Sequence, residues 1–193
     1  MIFVISGPSG SGKTSLRDKL LEDEELNNKL VKSISLTTRA KRAGEKDKKD
    51  YFFVTEAKFK SKLRAKKILE WTKYLGYYYA TPKDFLDRQL RSGAHIVLCL
   101  DLKGALRIKR LYPKHAATIF ILPPSIKALR DRIQGRCNKT EKAEIDKRIR
   151  LARKELMVWQ NYGYCIENIN MQQAAKELKQ IVLQEIEKPI LAR

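Results

Sequence analysis

No stretch of this chain is apolar for long enough to span a membrane. The opening "MIFVISGPSG" has only a short apolar run with no basic region before it, which is not the pattern of a signal peptide. Cysteine is scarce: Cys99, Cys137 and Cys165 are far apart and odd in number. That count fits neither a disulfide framework nor a zinc motif and points to a reducing compartment. The expectation is a soluble, cytoplasmic protein. His95 and His115, the two histidines, have no partner pattern and are assigned structural or surface roles. Acidic residues are also few, 22 Asp plus Glu against 41 Lys plus Arg, a formal charge of +19. A field of that sign attracts polyanions: nucleic acid, an anionic membrane surface or nucleotide phosphates. No internal repeat and no recognisable nucleic-acid module accompanies the charge, so nucleic acid is not the expected partner.

At 193 residues the chain can bury one substantial core. Short apolar runs, "IFVIS" (2–6), "HIVLCL" (95–100), "TIFIL" (118–122) and more weakly "YCIE" (164–167), read as buried strands. Helical patterns lie between or beyond them at 14–21, 83–90, 104–111, 126–133, 143–159 and 171–186. This alternation predicts an α/β fold with a parallel sheet covered on both faces. Residues 31–81 break the rhythm with the β-like pieces "VKSIS" and "DYFFV", a basic helix near 57–65, and "ILEWTKYLGYYYAT". That region reads as a small, partly β lobe inserted in the core.

"GPSGSGKT", Gly7 to Thr14, matches G-x-x-x-x-G-K-[ST] and sits between a predicted strand and a predicted helix. Its glycines let backbone N–H groups wrap phosphate oxygens at a helix start. Lys13 is placed to reach the β- and γ-phosphates, and Thr14 to offer its hydroxyl to Mg²⁺. The motif identifies a nucleotide donor but leaves the acceptor open. For the acceptor, Arg39 and Arg42 stand three apart, with Tyr51 as a hydroxyl donor, a set suited to a phosphomonoester. Glu70 has the chemistry to accept the adjacent N1–H and N2–H₂ of guanine, while Ser35 or Thr81 donates to O6. Adenine would leave that carboxylate unpaired, a difference worth about 10⁴-fold.

These segments, with "SISLTTRAKRAGE…DYFFV", "ILEW…GYYYATP", "LDLKGA", "FILPPSIKALRDRIQGR" and "RIRLARKEL…CIEN", resemble the guanylate kinase family in order from Met1 to about Asn168. The resemblance implies the P-loop nucleoside-monophosphate-kinase fold: a core (1–33 and 82–193), a β-rich GMP-binding lobe (about 34–81) and a helical lid (about 134–148). It implies phosphorylation of GMP, and of dGMP with it, by ATP with Mg²⁺. On this basis Gly7, Pro8, Ser9, Gly10, Ser11, Gly12, Lys13, Thr14 and Ser15, with Arg132, Arg136 and Asn168, are expected on the ATP side, Asn168 lining the adenine. Ser35, Glu70 and Thr81 would contact guanine, with Asp101 close by. Arg39, Arg42, Tyr51 and Tyr79 would hold the GMP phosphate, with Glu45 supporting the arginines. Arg136 and Arg148 would clamp the transferring phosphoryl group. Lys13, Arg39, Arg136 and Arg148 form the expected catalytic set. Metal contact would be through Thr14 and otherwise through water. The sequence carries no signature of an oligomeric state.

The family usually has L-D-x-D where this chain has "LCLD", so Cys99 replaces an acidic position near Mg²⁺. This predicts activity lowered about 10–100-fold and a gain in kcat on Cys99→Asp. Lys103, Ala80 and the lid segment "RCNKTEKAE" also depart from the pattern. Two alternatives to an active GMP kinase are a non-catalytic or weakly active module of the same family and a P-loop kinase with a changed acceptor.

Overall fold

The wholly buried run Ile2, Phe3, Val4 and Ile5 alternates its side chains between two apolar layers. It forms the middle of a sheet in the computed structural model, which describes residues 1–135 and 142–188. In chain order the first half comprises β1 (Ile2–Ser6), α1 (Lys13–Glu22), β2 (Leu30–Lys32), β3 (Leu36–Thr37), β4 (Phe52–Phe53), α2 (Glu56–Arg64), β5 (Ile68–Tyr74) and β6 (Tyr77–Pro82). The second half comprises α3 (Lys83–Arg91), β7 (His95–Cys99), α4 (Leu102–Leu111), β8 (Ala116–Leu122), α5 (Ile126–Gly135), α6 (Lys142–Leu156), β9 (Tyr164–Glu167) and α7 (Met171–Glu187).

Among the described residues the core sheet has the order β2-β7-β1-β8-β9, and every pairing is parallel. Phe3 and Ile5 meet Leu16 and Leu20 of α1 and Leu178 and Val182 of α7 on one face. Ile2 and Val4 meet Leu86 of α3 and Ala105 and Ile108 of α4 on the other. Each such side chain contributes about 1.5–3 kcal/mol on burial, so both layers are needed to hold β1 in place. The α/β reading and the four core strands are therefore present. No helix among the described residues is long and apolar enough to cross a membrane.

Two sequence expectations change. "VKSIS" does not belong wholly to the small lobe: Val31 and Lys32 pair with Ile96 and Val97 in the core sheet. The chain enters the second sheet only at Leu36. The helix expected to reach residue 159 ends at Leu156, and Trp159–Asn161 form a 3₁₀ turn. The turn is needed because Gly163 N–H donates to Thr118 Oγ1 and Tyr162 packs on Phe120, feeding the chain into β9 beside β8.

The second sheet has the order β4-β3-β6-β5. Its β5–β6 hairpin closes through Leu75 and Gly76, both at positive φ, as a two-residue turn requires. Alternation along the hairpin puts Glu70, Thr72 and Tyr74 with Tyr77 and Tyr79 toward a cavity. Tyr78 faces the other way and stacks on Phe59 of α2 at 4.8 Å. Helices α5 and α6 pack on each other through Leu129, Ile133, Ile145 and Ile149, and the Arg130–Asp146 ion pair (2.8 Å) ties them.

Candidate active site

The loop joining β1 to α1 opens at the carboxyl ends of the core strands, where ligands bind in open α/β sheets. Its Pro8 carbonyl accepts from Ser11 N–H (3.1 Å) and from Lys13 Nζ (3.2 Å). Gly12 adopts a left-handed conformation (φ 93°) as N-cap of α1, and no side chain caps the helix. The first-turn N–H groups are thereby left for an anion. Gly7, Ser9 and Lys13 line a cavity of about 800 Å³. Pro8, Gly10, Ser11 and Gly12 are buried behind them, and Thr14 and Ser15 are exposed on the first turn of α1.

Asn168 and Arg132 do not reach the cavity surface. Asn168 is fully buried and its Nδ2 donates to Ser11 O at 2.8 Å. A side chain on Gly12 would collide with that amide. Arg132 spans Gly10 O (3.5 Å) and Asn168 O (3.4 Å). Both residues brace the loop from behind.

Opposite the loop, Arg39 is 8% exposed and held from several sides. Its Nη2 and Nη1 donate to Glu45 Oε1 (2.7 Å) and Oε2 (3.0 Å), Nη1 also to Ala40 O (2.6 Å), and Nε to Tyr79 Oη (3.3 Å). Burial by itself would raise the Glu45 carboxyl, but the Arg39 hydrogen bond and the Arg42 backbone N–H outweigh it and hold the group below its usual range. Tyr51 packs edge-on to Tyr79 (6.0 Å) and lies against the Arg39 guanidinium (5.5 Å). Arg42 is exposed at the rim, its loop fixed by the backbone bond to Glu45 Oε2 (2.8 Å). Arg39, Arg42, Tyr51 and Tyr79 thus line one wall, with Glu45 behind them.

Ser35, Glu70 and Asp101 lie along the same cavity. Glu70 and Thr81 are opposite each other in the β5–β6 register, and Thr81 Oγ1 donates to Glu70 Oε1 at 2.5 Å. Thr81 is fully buried, so it holds the carboxylate rather than lining the cavity. Burial pushes the Glu70 carboxyl up to about 7, with the nearby Asp101 charge adding to the shift and the Thr81 bond opposing it. Asp101 caps α4 by accepting from Gly104 N–H (2.9 Å). Gly104 permits a close approach: a Cβ there would sit 2.8 Å from Glu70 Oε2.

Helix α6 supplies the remaining wall. Arg148 pairs with Glu144, and its Nε is buried with no partner among the described residues. Arg136 lies outside the described residues. Several cavity residues escaped the sequence reading, Glu155, Arg17 and Tyr74 among them. Glu155 stands seven positions after Arg148 on the same helix face, Arg17 four after Lys13, and Tyr74 four after Glu70 along β5. Helix and strand periodicity applied to the motif residues would have found them. Gly104 follows only from packing. Burial pushes Glu155 up to about 7 despite Lys13, and Tyr74 to about 12.

One cavity therefore joins a phosphate loop, an arginine–tyrosine wall and a buried carboxylate. The sequence profile of guanylate kinases matches residues 1–185. The chain belongs to the guanylate kinase family. It is 40% identical over 185 residues to the guanylate kinase of Wolbachia pipientis, covering 96% of this chain and 90% of that protein. The guanylate kinase of Caldanaerobacter subterraneus is 42% identical over 185 residues, covering 96% and 87%. The crystal structure of guanylate kinase from Anaplasma phagocytophilum superposes with a TM-score of 0.81 at 31% identity, covering 98% of this chain and 88% of that one. This guanylate kinase family member thus has the P-loop nucleoside-monophosphate-kinase fold.

Proposed function

We propose that this chain transfers the γ-phosphoryl group of ATP to GMP, and to dGMP by the same contacts. The observation that carries the reading is the placement of Glu70: a buried carboxylate in the same cavity as the phosphate loop. Glu70 accepts guanine N1–H and N2–H₂, Ser35 donates to O6, and Asp101 stands beside them. Arg42 and the remaining Arg39 N–H, with the Tyr51 and Tyr79 hydroxyls, hold the acceptor phosphate. Lys13 and the first-turn N–H groups of α1 hold the donor phosphates. Arg148, which lines the cavity, neutralises charge spread over the group in transit. We assign Arg136 the same clamp role.

Among the described residues no group of three His, Cys, Asp or Glu side chains could hold a resident metal. An ion that arrives on ATP and keeps its waters would have the Thr14 hydroxyl as its protein contact. Mg²⁺ bound in this way would supply charge neutralisation at the β- and γ-phosphates. Catalysis by the chain itself is alignment of two anions and exclusion of water.

The test is ADP formation from ATP with GMP, AMP, CMP, UMP or no acceptor. Turnover should require GMP, with AMP poorer by about 10⁴-fold in kcat/KM. GMP binding without turnover would favour a non-catalytic module, and equal use of AMP would favour a changed acceptor.

A further inference from the structure

Buried Arg39 has little left to donate to the acceptor wall. Arg39 has five N–H groups, and four already bond Tyr79, Ala40 and Glu45. Arg17 offers more. It stands one turn after Lys13, so the two side chains share a face of α1, and both line the cavity. Its side chain is only 11% exposed. On the outer side Nε (2.9 Å) and Nη2 (2.6 Å) both donate to Asp18 Oδ1. On the inner side Nη1 meets, among the described residues, only the Cys99 sulfur at 3.9 Å. A neutral thiol is a weak acceptor, and burial pushes the Cys99 thiol up, away from the thiolate. A carboxylate at position 99 would have occupied Nη1. With a thiol there, the inner edge of a buried guanidinium is left facing an anion-binding cavity. Its charge acts on Tyr51 of the acceptor wall, while Cys99 feels Lys13 and Arg17 together.

We propose that Arg17, whose Nη1 is left by Cys99 without a strong acceptor, binds an oxygen of the acceptor phosphate between Lys13 and Tyr51. This rests on the GMP reading. It makes Arg17 a specificity-determining contact for a phosphorylated over an unphosphorylated guanosine. One charge-assisted hydrogen bond of this kind corresponds to about 10–100-fold in affinity.

Dissociation constants of GMP and ATP by calorimetry, and of guanosine by competition, in wild type and Arg17→Leu test this. GMP should weaken about 10–100-fold, while guanosine and ATP stay within about twofold. Arg17→Lys should recover part of the GMP loss. Arg17→Gln gives the same readout should the leucine variant fold poorly. Parallel weakening of GMP and guanosine would mean that Arg17 only shapes the site, and the proposal falls. Loss confined to ATP would place Arg17 on the donor phosphates and also overturns it. Unchanged GMP binding in both neutral variants overturns this inference alone. A wild type that binds neither GMP nor guanosine overturns the GMP reading, and this inference with it.

Discussion

Glu70 makes guanine binding depend on pH in a direction the structure fixes. Desolvation raises its carboxyl to about 7 in the free protein, with the Asp101 charge adding to the shift. Guanine needs the carboxylate, because both of its facing groups are donors. Below pH 7 the free site must lose a proton before it binds, so affinity falls about tenfold per pH unit at the acid end. Between pH 8 and pH 6 the dissociation constant should rise about tenfold. The GMP phosphate titrates near pH 6 as well, so competition by guanosine, which lacks it, isolates the Glu70 contribution. Glu70→Gln should flatten the profile and weaken binding by about 10²-fold, because its amide N–H₂ confronts a guanine donor. The same proton links to stability. The folded pKa lies above the ordinary 4.5, so the contribution of this group is present below about pH 4.5. It is lost as pH rises through about 7, up to about 3 kcal/mol. Guanine pairing offsets that loss, and the thermal shift produced by GMP should therefore grow from pH 6 to pH 8. A guanosine profile that is flat, or that weakens as pH rises, would refute the reasoning.

Three further outcomes follow from the packing around the site. Gly104→Ala puts a methyl 2.8 Å from Glu70 Oε2, and KM for GMP should rise about 10-fold or more with KM for ATP little changed. Asn168→Ala orphans the Ser11 carbonyl; it should lower stability by about 1–3 kcal/mol and weaken ATP more than guanosine, read by chemical denaturation and competition binding. Cys99→Asp was expected from the sequence to raise kcat. With Arg17 Nη1 3.9 Å from the sulfur, the new carboxylate instead captures Arg17, and KM for GMP should rise about 10-fold. A large gain in kcat at unchanged KM would restore the metal-based expectation.

The core was legible because its strands are buried on both faces, and a continuous apolar run as short as Ile2–Ile5 suits a strand covered on two sides. The phosphate loop was legible because its chemistry is local: glycines, one lysine and one hydroxyl in a fixed spacing. The acceptor wall was legible only in part. Arg39, Arg42 and Tyr51 stand in one motif, but Tyr79 and Glu70 join them through the register of a hairpin closed by Leu75 and Gly76. Arg17 and Glu155 carry no motif of their own and become site residues through the helix faces shared with Lys13 and Arg148. Thr81 and Asn168 have the residue types of ligand contacts, yet burial turns them inward, to fix Glu70 and Ser11. That distinction depends on depth, which residue type does not encode.

The central claim is that one cavity orders a donor and a guanine acceptor for direct transfer. Following the ³¹P NMR signals of ATP mixed with GMP tests it most directly. GDP and ADP should appear in equal amounts, with no inorganic phosphate beyond a trace, and the ATP signals should persist when AMP replaces GMP. Release of inorganic phosphate without GDP, or GDP formation that persists in Lys13→Ala, would contradict the account.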